Sequence, residues 1–335
     1  MPLPTPFHPR TSARQTSYRW KEWAGHFAVC SYDFCHEAEY MALRHAATAM
    51  DASPLFKIDV SGPDAAEFLA FLWARDPRKL AVGRMGYGCL TDEEGKVVDD
   101  GTIARLGDSE FRCTTAAPSL GWFQRHAGGF NVVVRDVTET LACLAVQGPQ
   151  SRGVVAGCCE ASAVEDLGFF DIAPARIGSM EIEVSRTGYT GDLGYEVWCR
   201  AEDACAVWDA VFEAGAPHGL APMGLDALDV SRVEAGFILQ DVDYFSATRA
   251  LIDSRKSSPF ELGLGWSVHI GRGPYLGSAA LAAEKAAGSP WAFVGLEIDW
   301  EELEGLFDEH GLPPALPTSA WRTPVPVYGQ AGGSA

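Results

Sequence analysis

A chain of 335 residues, 47% hydrophobic, with 26 Lys and Arg against 45 Asp and Glu, carries a formal net charge of −19. It is long and apolar enough to bury the cores of roughly two or three domains, while that much negative charge excludes sequence-independent binding to nucleic acid or to an anionic membrane, both polyanions. Nine cysteines without a C-x-x-C fit reduced thiols in the cytoplasm better than a disulfide framework or a zinc centre, and no run reaches the ~18 apolar residues of a membrane span.

The first twenty residues hold Arg10, Arg14 and Arg19, several prolines and no acid. Lacking an apolar h-region, they predict a flexible arm rather than a targeting peptide. His36 to Met50 reads as helix, stopped ahead of Pro54. His36-Glu37 lacks the second histidine of a zinc-binding helix, and no metal site is expected. Phe56 to Val60 reads as a short strand. Ser61-Gly62-Pro63-Asp64 predicts the start of another helix, with Ser61 as N-cap and Ala65, Phe68, Leu69 and Leu72 as its buried stripe. A meander follows: strands at Tyr87 to Leu90, Val97 to Ala104 and Phe111 to Thr115, separated by turns at Asp92 to Gly95 and Gly107-Asp108.

Leu141 to Val146 reads as a buried strand closed by Gly148-Pro149. Ile182 to Val184 and Tyr195 to Trp198 then flank a glycine-rich turn, Arg186-Thr-Gly-Tyr-Thr-Gly-Asp-Leu-Gly-Tyr-Glu196. Its glycines permit close approach to a flat ligand, and Tyr189 and Glu196 present an aromatic face and a carboxylate. Ala204 to Ala214 and Leu225 to Ala235 read as helices stopped by Gly215 and Gly236. Trp291 to Ile298 and Val325 to Tyr328 read as strands. Antiparallel units without steady β-α alternation, and without G-x-G-x-x-G or Walker sequences, predict an α+β fold rather than a Rossmann fold.

Several of these segments together resemble one family. Glu39-x-x-Ala42-x-Arg44, Asp51-x-Ser53, Ser61-Gly62-Pro63, Gly95-x-Val97-Val98-Asp99-Asp100, Leu144-Ala-Val-Gln147-Gly148-Pro149, Thr187-Gly-Tyr-Thr-Gly191 with Gly194-Tyr-Glu196, Asp229-x-x-Arg232-x-Glu234-Ala-Gly236 and Gly263-Leu-Gly-Trp266 stand in the order of the T-protein (aminomethyltransferase) family of the glycine cleavage system. The resemblance runs from about residue 20 to 300. It implies a three-domain cloverleaf with antiparallel sheets around a central hole for tetrahydrofolate. Residues 1–55 with 141–245 would form a folate-binding α+β domain, 56–140 with 246–285 a second α+β domain carrying Asp100, and 286–335 a small C-terminal β domain. That last domain is short of the family's strands, so truncation is expected.

By the same resemblance Asp100 is the catalytic acid, and Tyr87, Tyr189, Glu196 and Arg232 bind the cofactor, Glu196 accepting hydrogen bonds from the pterin edge. Asp99, just before it on the same strand, points to the opposite face and is expected to be a solvent-facing or structural acid. Arg232 and Glu234 could instead pair with each other. Asp243 and Tyr244 are the candidates for substrate contact. The activity implied is transfer of a methyl or aminomethyl group from a small methylated amine, thioether or aryl ether to folate, with a lipoyl-carrier protein or an oxidoreductase as possible partner.

The chain departs from the family pattern at Leu228, where an arginine is expected, near Ala116, where an asparagine is expected, and at Ser53-Pro54-Leu55. Losing an arginine and an asparagine changes what a polar pocket can neutralise and bond. The departures favour a demethylase-like relative over the glycine-cleavage enzyme itself. A non-catalytic folate-binding or regulatory homologue is the alternative, although the Lys-Gly-Cys-x-x-Gly-Gln-Glu signature of the iron-sulfur-assembly relatives is absent.

Overall fold

The computed structural model describes residues 1–160, 164, 166–315 and 322–328. Its N-terminal arm is ordered rather than free. Proline in the first turn starts helix α1 (His8–Arg14), Phe7 is fully buried with its ring 5.9 Å from that of Trp208, and Thr5 donates to Asp51 at 2.6 Å. The expectation of a flexible arm overlooked that single apolar anchor. A two-stranded hairpin, β1 (Trp20–Trp23) and β2 (His26–Val29), follows.

Helix α2 (Glu37–His45) is shorter than its sequence suggested, because the chain turns at Ala46 into β3 (Ala47–Asp51). Ala47 to Met50 are all buried, and a strand covered on both faces shows none of the alternation that would betray it. Next come β4 (Phe56–Ser61) and α3 (Ala65–Leu72). Ser61 closes the strand instead of capping the helix; the N-cap is Asp64, which makes no side-chain cap bond and instead accepts from the Asn131 backbone at 2.7 Å. Gly62 explains the difference: it sits at φ +130, and a Cβ there would lie 2.5 Å from the Asn131 carbonyl.

The meander forms as expected, as β5 (Arg84–Thr91), β6 (Val97–Gly107) and β7 (Glu110–Thr115). After α4 (Leu120–His126) and β8 (Val133–Asp136), these complete a five-stranded antiparallel sheet in the order β5-β6-β7-β4-β8. Phe68, Leu69 and Leu72 of α3 and Phe123 of α4 pack on one face of it.

A second sheet is built from β9 (Leu141–Gln147), β10 (Ile172–Ile177), β11 (Met180–Ser185), β12 (Gly194–Arg200) and β13 (Leu220–Pro222), together with β3. Its order is β10-β11-β12-β9-β3-β13, antiparallel except for β13 against β3. Helices α5 (Ser151–Cys158) and α6 (Ala204–Gly215) cover one face through Val154, Val155, Val207, Trp208 and Val211. The opposite face carries Gln147, Glu196 and Trp198, because side chains alternate along β9 and β12. Backbone bonds from Met85 to Phe170 (2.8 Å) and from Ile172 to Gly83 (2.9 Å) stitch the two sheets at their edges.

Helix α7 (Leu225–Glu234) ends at Ala235-Gly236, and a long irregular segment leads to α8 (Ser278–Ala287) and α9 (Trp300–Asp308). Among the described residues, 291–298 and 325–328 form no named strand, contrary to expectation. Trp291, Val294, Leu296 and Ile298 are exposed, and a β-patterned segment stays irregular without a neighbouring strand to take up its backbone bonds. No helix of the described residues is long and apolar enough to cross a membrane. The fold is therefore α+β with antiparallel sheets, as the sequence implies.

Candidate active site

The site begins with two adjacent acids on β6. Alternation sends their side chains to opposite faces. Asp99 is fully buried and accepts from the Asp100 backbone at 2.9 Å, the Ala117 backbone at 3.0 Å and Ser119 Oγ at 3.0 Å. It thereby fixes the loop between β7 and α4, the stretch that contains Ala116. Its carboxyl is pushed up to about 7 by burial and then by the neighbouring Asp100 carboxylate.

That displacement has a definite sign. A carboxyl whose folded value lies above its ordinary value keeps a proton in the native state that the unfolded chain releases, so its contribution to stability is full below about pH 4 and declines up to about pH 7. Starting from 3.8, the decline is at most roughly 4 kcal/mol. Urea unfolding between pH 4 and 8 should show this fall in the wild type, and Asp99→Asn should flatten it. An Asp99→Asn protein with the wild-type slope would contradict the assignment.

Asp100 faces the other way and is gripped by two phenols. Tyr87, from β5, donates to Oδ2 at 2.7 Å, and Tyr244, from the segment after α7, donates to Oδ1 at 2.5 Å. Burial raises the Asp100 carboxyl, while the bonds from Tyr244 and Tyr87 pull it back down. The same burial pushes both phenols well above their ordinary value, so they remain donors. The Tyr87 ring stacks on Trp266 with centroids 6.0 Å apart, and Trp266 is 62% exposed. An aromatic face this open, beside a partly buried carboxylate, suits a flat or cationic ligand.

Tyr189 joins this group from the glycine-rich turn. Its ring stacks on Phe237 at 5.5 Å, and its hydroxyl donates to the Ile238 carbonyl. Burial first, and the nearby Asp100 charge second, push its phenol up. Ile238 in turn packs with Tyr244, Cys89 and Tyr87 in one apolar cluster. Asp100, Tyr87, Tyr189 and Tyr244 are thus brought together from four separate parts of the chain.

Two of the turn's glycines serve a purpose the sequence did not disclose. A Cβ on Gly188 or Gly194 would lie 1.9 or 2.1 Å from Gln147 Oε1. The close approach is therefore to a buried glutamine rather than to a ligand. Gln147 donates to the Thr187 and Tyr195 carbonyls, each at 3.2 Å, and accepts from Thr190 at 3.1 Å, which locks the turn to β9. Arg44, on α2, adds a bond to the Thr190 carbonyl at 2.9 Å and pairs with Glu234 at 2.5 Å. Both Gln147 and Arg44 lay within the motifs that carry the resemblance, but neither had an evident role.

Glu196 ends the turn with one oxygen committed. Oε2 accepts from Thr187 at 2.5 Å and from Ser185 at 3.3 Å, and Ser185 is itself held by Trp198 at 3.1 Å. Burial raises the Glu196 carboxyl, and the two hydroxyls oppose that shift. Among the described residues no hydrogen bond engages Oε1, which can accept from an added donor. Glu196 on β12 and Asp100 on β6 belong to different sheets.

Arg232 is 4% exposed and bonds inward. It donates to Asp229 at 3.4 Å, to the Phe237 carbonyl at 3.1 Å and to the Asp243 carboxylate. It does not pair with Glu234, which Arg44 and Tyr40 take instead. Asp243 is likewise committed, to Arg232 and to the Leu239 backbone at 2.8 Å. Leu228 packs among Met50, Met223 and Leu225, where the expected arginine would have stood. The Ser53-Pro54-Leu55 stretch is tied down by buried Lys57, whose Nζ donates to the Ser53 and Leu55 carbonyls at 2.7 and 2.8 Å. No cluster of three or more metal-ligating side chains occurs among the described residues.

Comparison with known proteins bears on this geometry. Residues 10–272 match the family described as GCVT N-terminal domain. A trimethylamine-oxide aldolase from Ruegeria pomeroyi is 39% identical over 273 residues, covering 78% of this chain and 33% of that protein. An aminomethyltransferase from Herpetosiphon aurantiacus is 34% identical over 265 residues, covering 78% of this chain and 70% of its own length. The chain thus spans only a third of the first relative but more than two thirds of the second. In three dimensions it resembles the glycine cleavage system aminomethyltransferase T of Bartonella henselae, with a TM-score of 0.74 at 23% identity over 86% of this chain and 76% of that one.

Proposed function

Because the chain belongs to the GCVT N-terminal domain family, we propose that it is a tetrahydrofolate-dependent one-carbon transferase, taking a methyl or aminomethyl group from a small methylated amine, thioether or aryl ether. The observation that carries this reading is the Asp100 carboxylate held between Tyr87 and Tyr244, beside the exposed Trp266 and the ring of Tyr189. In this reading residues 1–55 with 141–245 form the folate-binding domain and 56–140 with 246–285 the domain carrying Asp100.

The residues present fit a pterin. Glu196 offers an unengaged oxygen to its NH donors, while Thr187 and Ser185 keep the carboxylate oriented. Tyr87 and Tyr189 supply ring faces. Tetrahydrofolate, when bound, would supply the nitrogen that receives the one-carbon unit. Asp100 would stabilise the positive charge that keeps the donor amine a leaving group, and would take up the proton released as the one-carbon unit bonds to the receiving nitrogen. Among the three donor classes this favours the amine, since both the aromatic faces and the net charge of −19 attract cations. A lipoyl-carrier protein or an oxidoreductase would deliver the donor, and the free cysteines support a cytoplasmic setting.

Calorimetric titration of tetrahydrofolate into the wild type and Glu196→Gln tests the cofactor assignment. A bond from an NH donor to a charged acceptor contributes about 1.5–3 kcal/mol, so the variant should bind roughly 10- to 100-fold more weakly. No binding by the wild type would remove the folate reading, and equal binding by both would remove Glu196 from the pocket. Leu228 in place of the expected arginine supports a second reading, a folate-binding homologue without turnover. Binding without transfer would establish that one.

A further inference from the structure

Both oxygens of Asp100 are occupied, and the second donor comes from outside the meander. Tyr244 lies 144 residues further along the chain and is only 2% exposed. Its ring is wedged among Cys89, Val97, Ile238, Leu262 and Leu264, so it cannot swing away without opening that cluster. The segment that presents it is fastened at several points. Arg232 holds the Phe237 carbonyl and the Asp243 carboxylate, Asp243 holds the Leu239 backbone, and Gln240 donates to the Val98 carbonyl of β6 at 3.3 Å. Asp241, at φ +64, donates its backbone NH to the Tyr244 carbonyl at 2.8 Å.

Given Asp100 as the acid of the transfer site, as proposed above, we propose that Tyr244 is its positioning residue. In the same scheme Arg232 and Asp243 act through Tyr244, holding residues 237–244 in the conformation that presents the hydroxyl, rather than by touching a ligand. The carboxylate is then fixed in one rotamer, with the oxygen bonded to Tyr87 on one side and the oxygen bonded to Tyr244 on the other. Losing either hydroxyl frees the side chain to rotate and removes a bond that favours its ionised form.

The titratable and charged groups around Asp100 must be separated for a clean test. Tyr87 and Cys89 on β5, Tyr189 from the turn and Tyr244 itself are all raised by burial, and stay neutral near pH 7. Arg75 bonds the Tyr87 carbonyl at 3.3 Å and remains a fixed cation. Asp99, pushed up to about 7 by burial and then by the Asp100 charge, titrates together with Asp100.

Carbon-13 carboxyl NMR on the full chain, with Asp100→Asn to assign the resonance and Asp99→Asn to remove the coupling, reads the Asp100 midpoint directly. Tyr244→Phe should raise that midpoint by about one to two pH units, the equivalent of losing a hydrogen bond to a charged group. Asp243→Asn, which leaves the hydroxyl in the chain but loosens its segment, should move it the same way by less. In turnover, the acid limb of the kcat profile should shift with the midpoint, while the KM for folate stays within a few-fold. A midpoint unmoved in both variants would overturn the proposal. If Tyr244→Phe does not fold, the Asp243→Asn midpoint decides alone. The NMR measurement needs neither folate nor donor, so a failure there counts against the clamp only, whereas absent folate binding counts against the function only.

Discussion

Replacing Asp100 by asparagine should lower kcat for one-carbon transfer by about 100- to 10,000-fold, the range expected when a positioned acid-base group is lost, while the dissociation constant for tetrahydrofolate changes by no more than a few-fold. The asymmetry follows from position. Asp100 stands on β6 between two phenols, whereas the pterin donors would be met by Glu196 on the other sheet. Asparagine keeps the shape of the side chain but can neither carry the charge nor take a proton. Its amide nitrogen must also face one hydroxyl that now donates to the carboxylate. Alanine would be the cruder test, because it leaves both buried hydroxyls without an acceptor at about 1–3 kcal/mol each. Stopped-flow or steady-state transfer at saturating donor, beside a folate titration, separates the two quantities. An asparagine variant retaining more than a tenth of wild-type kcat would remove Asp100 from the chemistry.

A large loss of stability should come from Gly188→Ala. Gly188 and Gly194 do not adopt a positive φ, so the backbone itself accepts alanine. The obstacle is the Gln147 side chain, 1.9 Å from the new Cβ at Gly188. Gln147 cannot retreat without releasing its bonds to Thr187, Thr190 and Tyr195. Overpacking by one methyl, combined with a broken buried network, should cost about 3 kcal/mol or more. In a Gln147→Ala background the obstructing amide is gone, and the same Gly188→Ala change should cost less than about 1 kcal/mol. This is a double-mutant cycle with a predicted interaction energy of about 2 kcal/mol. Equal costs in the two backgrounds, measured by urea denaturation, would show that the glycine is needed for something other than Gln147.

The contrast between those two sites bears on what the sequence revealed. The meander was legible because alternation and turn residues are local, and so β5, β6 and β7 fell where expected. Asp100 and Tyr87 were reached by motif order. Their hydrogen bond, which spans 13 residues, follows from the β5–β6 pairing that the turn at Asp92 to Gly95 sets. By contrast, the bond from Tyr244 to Asp100 spans 144 residues, and nothing periodic announces it. Arg232 reads in the sequence as a cofactor ligand or a partner of Glu234, but folding encloses it between Asp229 and Asp243. The glycines of the turn read as space for a ligand, although a buried glutamine from another strand fills that space. Strand β3 was hidden for a different reason, since burial on both faces erases the two-residue period.

The same reasoning explains the misread ends of the chain. The N-terminal arm shows little pattern, yet Phe7 and Thr5 fasten it to α6 and β3. Residues 291–298 show a strand pattern, yet no described strand pairs with them. Pattern states which face of a segment is apolar; whether that face finds a partner depends on the rest of the fold.

In the function proposed above, this chain moves a one-carbon unit to folate at the Asp100 carboxylate. Incubating the wild-type chain with tetrahydrofolate and a methyl-labelled methylated amine, then separating the folates, measures that transfer directly. Label should appear in the folate fraction, dependent on protein, and be lost in Asp100→Asn. Label that stays with the donor across methylated amines, thioethers and aryl ethers alike, in a protein that binds folate, would contradict it.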